Sequence, residues 1–213
     1  MLTLYYHPIS ANARRVWVTL LEKQIPFTLQ LVQLDGEHLS EDFTAINPLQ
    51  RIPAIVDDGF RVIESLAILD YLEAKYPTPA LLPTTPEAIA QVRMVETIAV
   101  VELQPLTIPL TRSQIGLAVE PEKVAIAQQR IALILHVLET LLGQQPYFAG
   151  ETFTRADIVA GTLLPALPLT DYPQLTAWAE RLSQRDSWQQ TAIRPEDITA
   201  VLPHIRQILE RRL

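Results

Sequence analysis

Arg51-Ile52-Pro53-Ala54-Ile55-Val56-Asp57-Asp58-Gly59-Phe60-Arg61-Val62-Ile63-Glu64-Ser65 is the stretch on which the fold turns. Ala54-Ile55-Val56 is a short apolar β run. Asp57-Asp58-Gly59 is hairpin punctuation, because glycine supplies the positive φ that tight turns need. Residues 60–63 read as the returning strand, with Val62 off phase. Ser65 then opens a segment with Leu66, Leu69 and Leu72 at helical spacing, stopped by Pro77. Pro53, at the lip of a strand, cannot donate to a ladder. Two conformations fit it: a trans proline opening the strand, or a cis Ile52–Pro53 bond that turns the backbone of Ile52 outward. In the second, the N–H and C=O of Ile52 can pair with an extended peptide as an added strand would. The start of the Ser65 helix offers unpaired N–H groups suited to a carboxylate. Together these features describe a site for a small acidic peptide.

Upstream, residues 2–6 form a β run, and residues 8–13 turn into a helix that passes Arg15, Val16, Leu20 and Leu21 to about Gln24, with Pro26 beyond its end. Residues 27–31 alternate as a half-buried strand should, and Asp35-Gly36 breaks them. Ser40-Glu41-Asp42 starts a short helix with an oxygen cap and acids on its first turn. The order β-α-β-α-β-β-α predicts an α/β domain over residues 1–77, with one parallel pair joined through a helix and one antiparallel hairpin. Residues 78–86 are a proline-rich linker. Residues 87–213 read as an all-α domain. One helix runs from 87 past 101 and bends near Pro105 and Pro109. A second follows Pro121 through Val124, Ile131, Leu135, Leu138 and Leu142 to Gly143, and others cover 174–184 and 196–212. Thr154-Arg155-Ala156-Asp157 is a capping box, with Phe153 and Ile158 placed as its staple.

The 213 residues can bury a sizeable core, and 48% apolar against 19% charged residues describes a globular chain. A net charge of −7 argues against a nucleic-acid partner, and Arg14-Arg15 and Arg211-Arg212 are too short to overturn it. The absence of cysteine excludes disulfides, thiolate-bound metal and a cysteine nucleophile. His7, His136 and His204 have no metal-ligand spacing, so no metal site is predicted. No apolar run approaches the length that crosses a bilayer, and no export signal is visible, so no membrane partner and a cytoplasmic location are expected.

Residues 47–77 carry, in order, Asn-Pro, Ile-Pro, a hairpin and Glu-Ser-x-Ala-Ile-x-x-Tyr-Leu. That string resembles the glutathione-binding half of a cytosolic glutathione transferase. The resemblance implies a thioredoxin-like first domain, an all-helical second one and a homodimer. Ser10, read from its surroundings alone, is a helix cap. It stands five residues before Arg15-Val16 and fifteen before Ile25-Pro26-Phe27, the spacing at which serine-type members of the family place the donor to the glutathione sulfur. Tyr5, Asn12 and Arg14 are candidate helpers at the sulfur. Residues 35–43, Asp-Gly-Glu-His-Leu-Ser-Glu-Asp-Phe, resemble the theta class, which implies that His38 and Arg51 hold the glycine carboxylate. Glu64 and Ser65 match the pair that holds the γ-glutamyl end, and Ile52-Pro53 the backbone anchor. The first domain is theta-like or phi-like, and the short second domain also fits the bacterial chi class.

The activity implied is conjugation of glutathione, a co-substrate and not a bound cofactor, to small hydrophobic electrophiles in detoxification, with glutathione peroxidase as a side activity. Ile9, Leu106 and Pro109 are candidates for the electrophile site. Two other readings share the fold: a glutathione-dependent isomerase of the zeta type, whose Ser-Ser-Cys-Ser loop is missing here, and a non-catalytic ligand-binding relative.

Overall fold

Asp58 and Gly59 both take positive φ, 50° and 84°, as the tight two-residue turn requires, and they join β3 (Ala54–Asp57) to β4 (Phe60–Ile63). In this computed structural model, which describes residues 1–210, that hairpin is half of a four-stranded sheet. β1 (Leu2–Tyr6) and β2 (Phe27–Leu31) supply the other half, in the order β2-β1-β3-β4. β1 and β2 are parallel, with α1 (Ala11–Glu22) as the crossover, while β3 is antiparallel to both β1 and β4. α2 (Glu41–Ile46) is capped by Ser40, whose Oγ accepts from Phe43 N–H at 3.2 Å. α3 (Ser65–Lys75) follows β4 directly and packs against α1. Leu2 and Leu4 of β1, Val16 and Leu20 of α1, Ile55 of β3 and Ile68, Leu69 and Leu72 of α3 are the buried core beneath the sheet. This is the thioredoxin-like arrangement.

β2 differs from the expected half-buried strand. Four of its five residues are exposed, Leu29 by 40% and Leu31 by 37%, because it is an edge strand paired only with β1.

Asp57, at the far end of β3 and opposite Leu2, is 2% exposed and gathers three donors on Oδ2. Tyr71 Oη lies at 3.0 Å, Lys75 Nζ at 2.7 Å and Tyr76 Oη at 2.9 Å. Burial pushes this carboxyl up, but the bonds from Lys75, Tyr76 and Tyr71 outweigh it and hold the pKa below the ordinary carboxylate value. A depressed carboxylate stabilises the fold above its unfolded pKa of about 4, and the contribution disappears as pH falls through the lower folded value. Asp57→Asn should therefore lower the denaturation midpoint by a constant amount above pH of about 4, and the gap to wild type should close below it. A gap that persists unchanged in acid would show that the charge on Asp57 contributes nothing.

The helical residues begin with α4 (Pro86–Thr97), capped by Thr85 and opened by a proline at its first position. The chain stays helical through the site of the expected bend, but residues Ile98–Leu103 adopt a π-helix before α5 (Gln104–Gln114). Pro105 has no N–H to return to the preceding turn, and Gln104 N–H reaches five residues back to Ala99. Pro109 is carried inside α5. α6 (Pro121–Leu142) buries Ala127, Ile131, Ile134, Leu135, Leu138 and Leu142 along one stripe and ends at Gly143, φ 57°. By length and composition α6 would cross a bilayer, contrary to the expectation that no apolar run reaches that length. It packs against α5 and α8 (Pro173–Ser183), and both carboxylate oxygens of its Glu139 accept from Gln174 and Leu175 N–H at 2.9 Å. One stripe of α6 is thus packed within its unit, while Ile126, Leu133 and Val137 stay exposed.

α7 (Arg155–Gly161) starts at the expected capping box. The Asp157 carboxylate accepts from Thr154 N–H (2.9 Å) and Oγ1 (3.1 Å), Phe148 N–H (3.0 Å) and the Trp178 indole (2.9 Å). Arg155 pairs with Glu96 of α4 at 2.8 Å, both buried. Two elements complete the described chain: α9 (Asp186–Gln190), a helix not expected from the sequence, and α10 (Pro195–Glu210). The expected continuation of the last helix to Arg212, and the Arg211-Arg212 doublet, lie outside the described residues.

The chain divides into two compact units, which do not follow the sequence order. Met1–Leu81 is joined by Arg185–Ile205, and Leu82–Gln184 by the residues after them. Within the first unit, Glu22 on α1 accepts from Arg185 Nε at 2.9 Å and Nη2 at 2.6 Å. Arg14 on α1 donates to Thr191 Oγ1 at 3.2 Å and to the carbonyl of Trp188 at 3.4 Å. These side chains fasten the returning segment to α1.

Candidate active site

Sheet polarity decides which loops meet. β1, β2 and β4 all run toward the end of the sheet where β3 begins: Tyr5 is opposite Ala54, Tyr6 opposite Leu31, and Ala54 opposite Ile63. Four segments therefore gather at that end. They are the turn to Ser10, the loop carrying His38, the Arg51-Ile52-Pro53 approach to β3, and the Glu64-Ser65 start of α3. All belong to the first unit.

Ser10 caps α1, accepting from Ala13 N–H at 3.2 Å. A hydroxyl that accepts at the cap still has a proton to donate, so capping and donation to a sulfur are compatible. Ile52–Pro53 is cis, the second of the two conformations. Among the described residues neither the N–H nor the C=O of Ile52 has a hydrogen-bond partner. Asn47, buried to 1% exposure, shapes this loop: its amide donates to Arg51 O and its Oδ1 accepts from Leu49 N–H at 3.0 Å. Gln50, with φ of 54°, completes the turn.

Glu64 holds φ at 66°, a conformation costly for a side chain with a Cβ, by about 1–3 kcal/mol. Among the described residues no side chain caps α3. The first N–H groups of that helix are thus presented at the sheet end with the positive pole of its dipole. Ser65 is buried, and its Oγ accepts from Nη1 of Arg15 at 3.3 Å. Arg15 itself is fully buried and brings a second positive charge behind the same helix start. The uncapped helix start and the buried guanidinium both favour an anion there, and strained backbone of the kind at Glu64 clusters at functional sites.

His38 lies in a 3₁₀ turn, Glu37–Leu39, and its Nδ1 is buried without a hydrogen-bond partner. Arg51 is exposed. Tyr5 packs near Phe43, ring centres 6.1 Å apart, and Tyr6 meets Trp17 edge-on at 5.0 Å. Burial, then the charge of Asp197, raises the pKa of the Tyr6 phenol. Asn12 is half-buried in the first turn of α1. Arg14, a candidate helper at the sulfur, directs its donors to Thr191 and Trp188. Ile9 is half-buried in the first unit, whereas Leu106 and Pro109 are half-buried on α5 in the second. Pro109 there lines a cavity of about 710 Å³ with Ile108, Arg112, Val119 and Lys123. Among the described residues no cluster of histidine and carboxylate groups is placed to hold a metal.

Asn47 and Arg15 were not singled out by sequence reasoning as parts of the site. An arginine among the apolar positions of an amphipathic helix was the available signal for Arg15.

The family profile of the glutathione S-transferase N-terminal domain matches residues 4–80, and that of the C-terminal domain residues 94–186. The chain belongs to the cytosolic glutathione transferases. The family uses glutathione as its substrate, so binding of glutathione is its common chemistry. Among the transferase's relatives, glutathione S-transferase 3 of Zea mays is 34% identical over 89% of this chain and 92% of its own length. Maleylacetoacetate isomerase of Rattus norvegicus is 30% identical over 87% of this chain and 89% of its own. A glutathione transferase homologue from Sulfitobacter, solved with bound glutathione, superposes with a TM-score of 0.77 at 26% identity, covering 89% of this chain and 96% of that one.

Proposed function

We propose that this transferase lays reduced glutathione across the end of its sheet and delivers the thiolate to small hydrophobic electrophiles. The observation that carries this reading is the set of groups converging there: both unpaired backbone groups of Ile52, the uncapped start of α3 and the Ser10 hydroxyl, which accepts from Ala13 N–H and keeps its own proton to donate. A tripeptide with a carboxylate at each end matches that set. The cis-proline loop takes the central residue as an added strand. Glu64, Ser65 and the α3 N-terminus take the γ-glutamyl end, and His38 and Arg51 the glycine carboxylate. Ser10 then faces the sulfur.

A free thiol titrates near 8.5, so a hydroxyl donor and the positive end of α1 act by stabilising the thiolate. No protein base is required. The setting proposed is cytoplasmic detoxification, with hydroperoxide reduction as a side activity and glutathione as co-substrate.

A homodimer is part of the proposal. It is supported by Met94, Val101 and Ile108, exposed at seven-residue spacing along α4 to α5, and by exposed Ile126, Leu133 and Val137 on α6.

The test is retention on immobilised glutathione, followed by turnover of isothiocyanates, halonitroarenes and hydroperoxides at saturating glutathione. Protein that neither binds the matrix nor consumes glutathione with any of these would refute the reading. A second reading, isomerisation of the zeta type, is favoured by the 30% identity to the rat isomerase. It is distinguished by turnover of maleylacetone with glutathione regenerated. Retention without either activity would identify a ligand-binding relative.

His38 and Arg51 contact a part of glutathione remote from the sulfur, and such binding is felt equally by ground and transition states. Replacing either with alanine should raise KM for glutathione by about two- to tenfold, with kcat nearly unchanged. Unaltered KM in both variants would remove them from the site.

A further inference from the structure

His7 is 7% exposed and stands between the end of β1 and Ser10. Two backbone groups of the turn close on it. Ile9 N–H points to its Nδ1 at 3.4 Å, a long bond, and Ser10 N–H donates to its carbonyl at 3.0 Å. An imidazole that accepts at Nδ1 is neutral and carries its proton on Nε2. The charges that act on it come from the returning segment of the same unit: Asp197 and His204, both on α10. Asp197 is in turn gripped by Arg194, Nε to Oδ2 and Nη2 to Oδ1, both at 3.1 Å. On β1 the neighbouring titratable group is Tyr6, which responds to the same Asp197–Arg194 pair.

We propose that His7 is a positioning residue for Ser10: its neutral imidazole clips the turn that presents the hydroxyl, and protonation at Nδ1 opens the clip. The mechanism is a clash of donors. Once Nδ1 carries a proton it faces the Ile9 N–H with no lone pair, the bond is lost, and the turn holding Ser10 loosens.

Burial, the dominant influence, lowers the His7 pKa below its ordinary value of 6.5, and His204 lowers it further, while Asp197 favours the protonated ring. The clip is therefore closed at neutral pH and opens as pH falls below 6.5 toward the depressed value. The same sign holds for stability: a histidine depressed in the folded state favours folding above its unfolded pKa and withdraws that support in acid. The consequence for catalysis rests on the glutathione reading above, since only a bound thiolate feels where Ser10 points.

The test uses the full chain and three proteins: wild type, His7→Asn and His7→Ala. Asparagine offers an oxygen near the place of Nδ1 and cannot titrate, whereas alanine removes the acceptor. In the glutathione-free protein, the amide resonances of Ile9 and Ser10 should follow the titration of the His7 ring in wild type and be flat over that range in His7→Asn. With glutathione bound, ultraviolet thiolate absorbance should fall more steeply in acid than a single proton allows in wild type, and as a single proton in His7→Asn. In His7→Ala the bound thiol pKa should rise by about half to one unit, leaving about three- to tenfold less thiolate at pH below the wild-type bound pKa. Amides that ignore the His7 ring, or identical thiolate curves in all three proteins, would overturn the proposal. Amides that follow the ring with no thiolate signal in any protein would uphold the clip and overturn the glutathione reading instead.

Discussion

Replacing Ser10 with alanine should raise the pKa of bound glutathione by about one to two units and, at pH below the wild-type bound pKa, cut kcat about ten- to a hundredfold. The size follows from the bond removed. A hydrogen bond to a charged acceptor contributes about 1.5–3 kcal/mol, and each pKa unit corresponds to about 1.4 kcal/mol. Affinity for glutathione should change little, because Ile52, Ser65 and the α3 N-terminus are untouched.

The same substitution removes the cap on Ala13 N–H, a stability cost of about 1 kcal/mol that has to be separated from the chemical effect. Ser10→Thr keeps both a hydroxyl and a cap and should recover most of the rate. Thiolate absorbance against pH measures the effect directly. If Ser10→Ala titrates as wild type does, Ser10 is a helix cap and the donor lies elsewhere, with Tyr5 and Asn12 the next to replace.

Asp157→Ala should be the most destabilising single change outside the site, by about 4 kcal/mol or more, a large part of the stability an ordinary domain possesses. The carboxylate serves four donors, from Thr154 backbone and hydroxyl, Phe148 backbone and the Trp178 indole, and Asp157 and Trp178 are fully buried. Alanine leaves the three N–H donors without an acceptor in a place water does not reach, and each such donor costs about 1–3 kcal/mol. Burial pushes the Asp157 carboxyl up, and the four bonds offset that desolvation in part. Chemical denaturation followed by the fluorescence of the three tryptophans, Trp178 among them, measures the loss. A loss under about 1 kcal/mol would mean that the surroundings re-satisfy the donors cheaply.

What the sequence disclosed was what depends on near neighbours. The Asp58-Gly59 turn, the Ser40 and Thr154 caps and the helical spacing after Ser65 are written within a few residues of one another, and each stands in the structure as expected. Pro53 was legible as an anomaly, and the structure chose between its two conformations. The features that were missed depend on distant partners. Residues 27–31 alternate correctly, but alternation cannot reveal that β2 lies at an edge. The π-helix at Ile98–Leu103 needed a count of which donors Pro105 removes, not merely the presence of a proline. Arg15 and His7 look like ordinary polar residues in the chain. What each meets lies far along the sequence: Ser65 of α3 for Arg15, and the charges of Asp197 and His204 on α10 for His7. Asn47 was read as half of an Asn-Pro pair, while its work is done by both ends of its amide on the loop that follows.

The return of Arg185–Ile205 to the first unit has a consequence for how the protein is made. A ribosome delivers the residues up to Leu81 before Arg185–Ile205, so α1 at first lacks the partners of Arg14 and Glu22. The turn bearing Ser10 likewise waits for the charges of α10. Synthesis of the whole intervening helical unit has to precede completion of the first, so the usual amino-to-carboxyl sequence of domain maturation is broken here. While the helical unit is being made, the nascent sheet domain exists as an unfinished object, its α1 still without those side-chain partners.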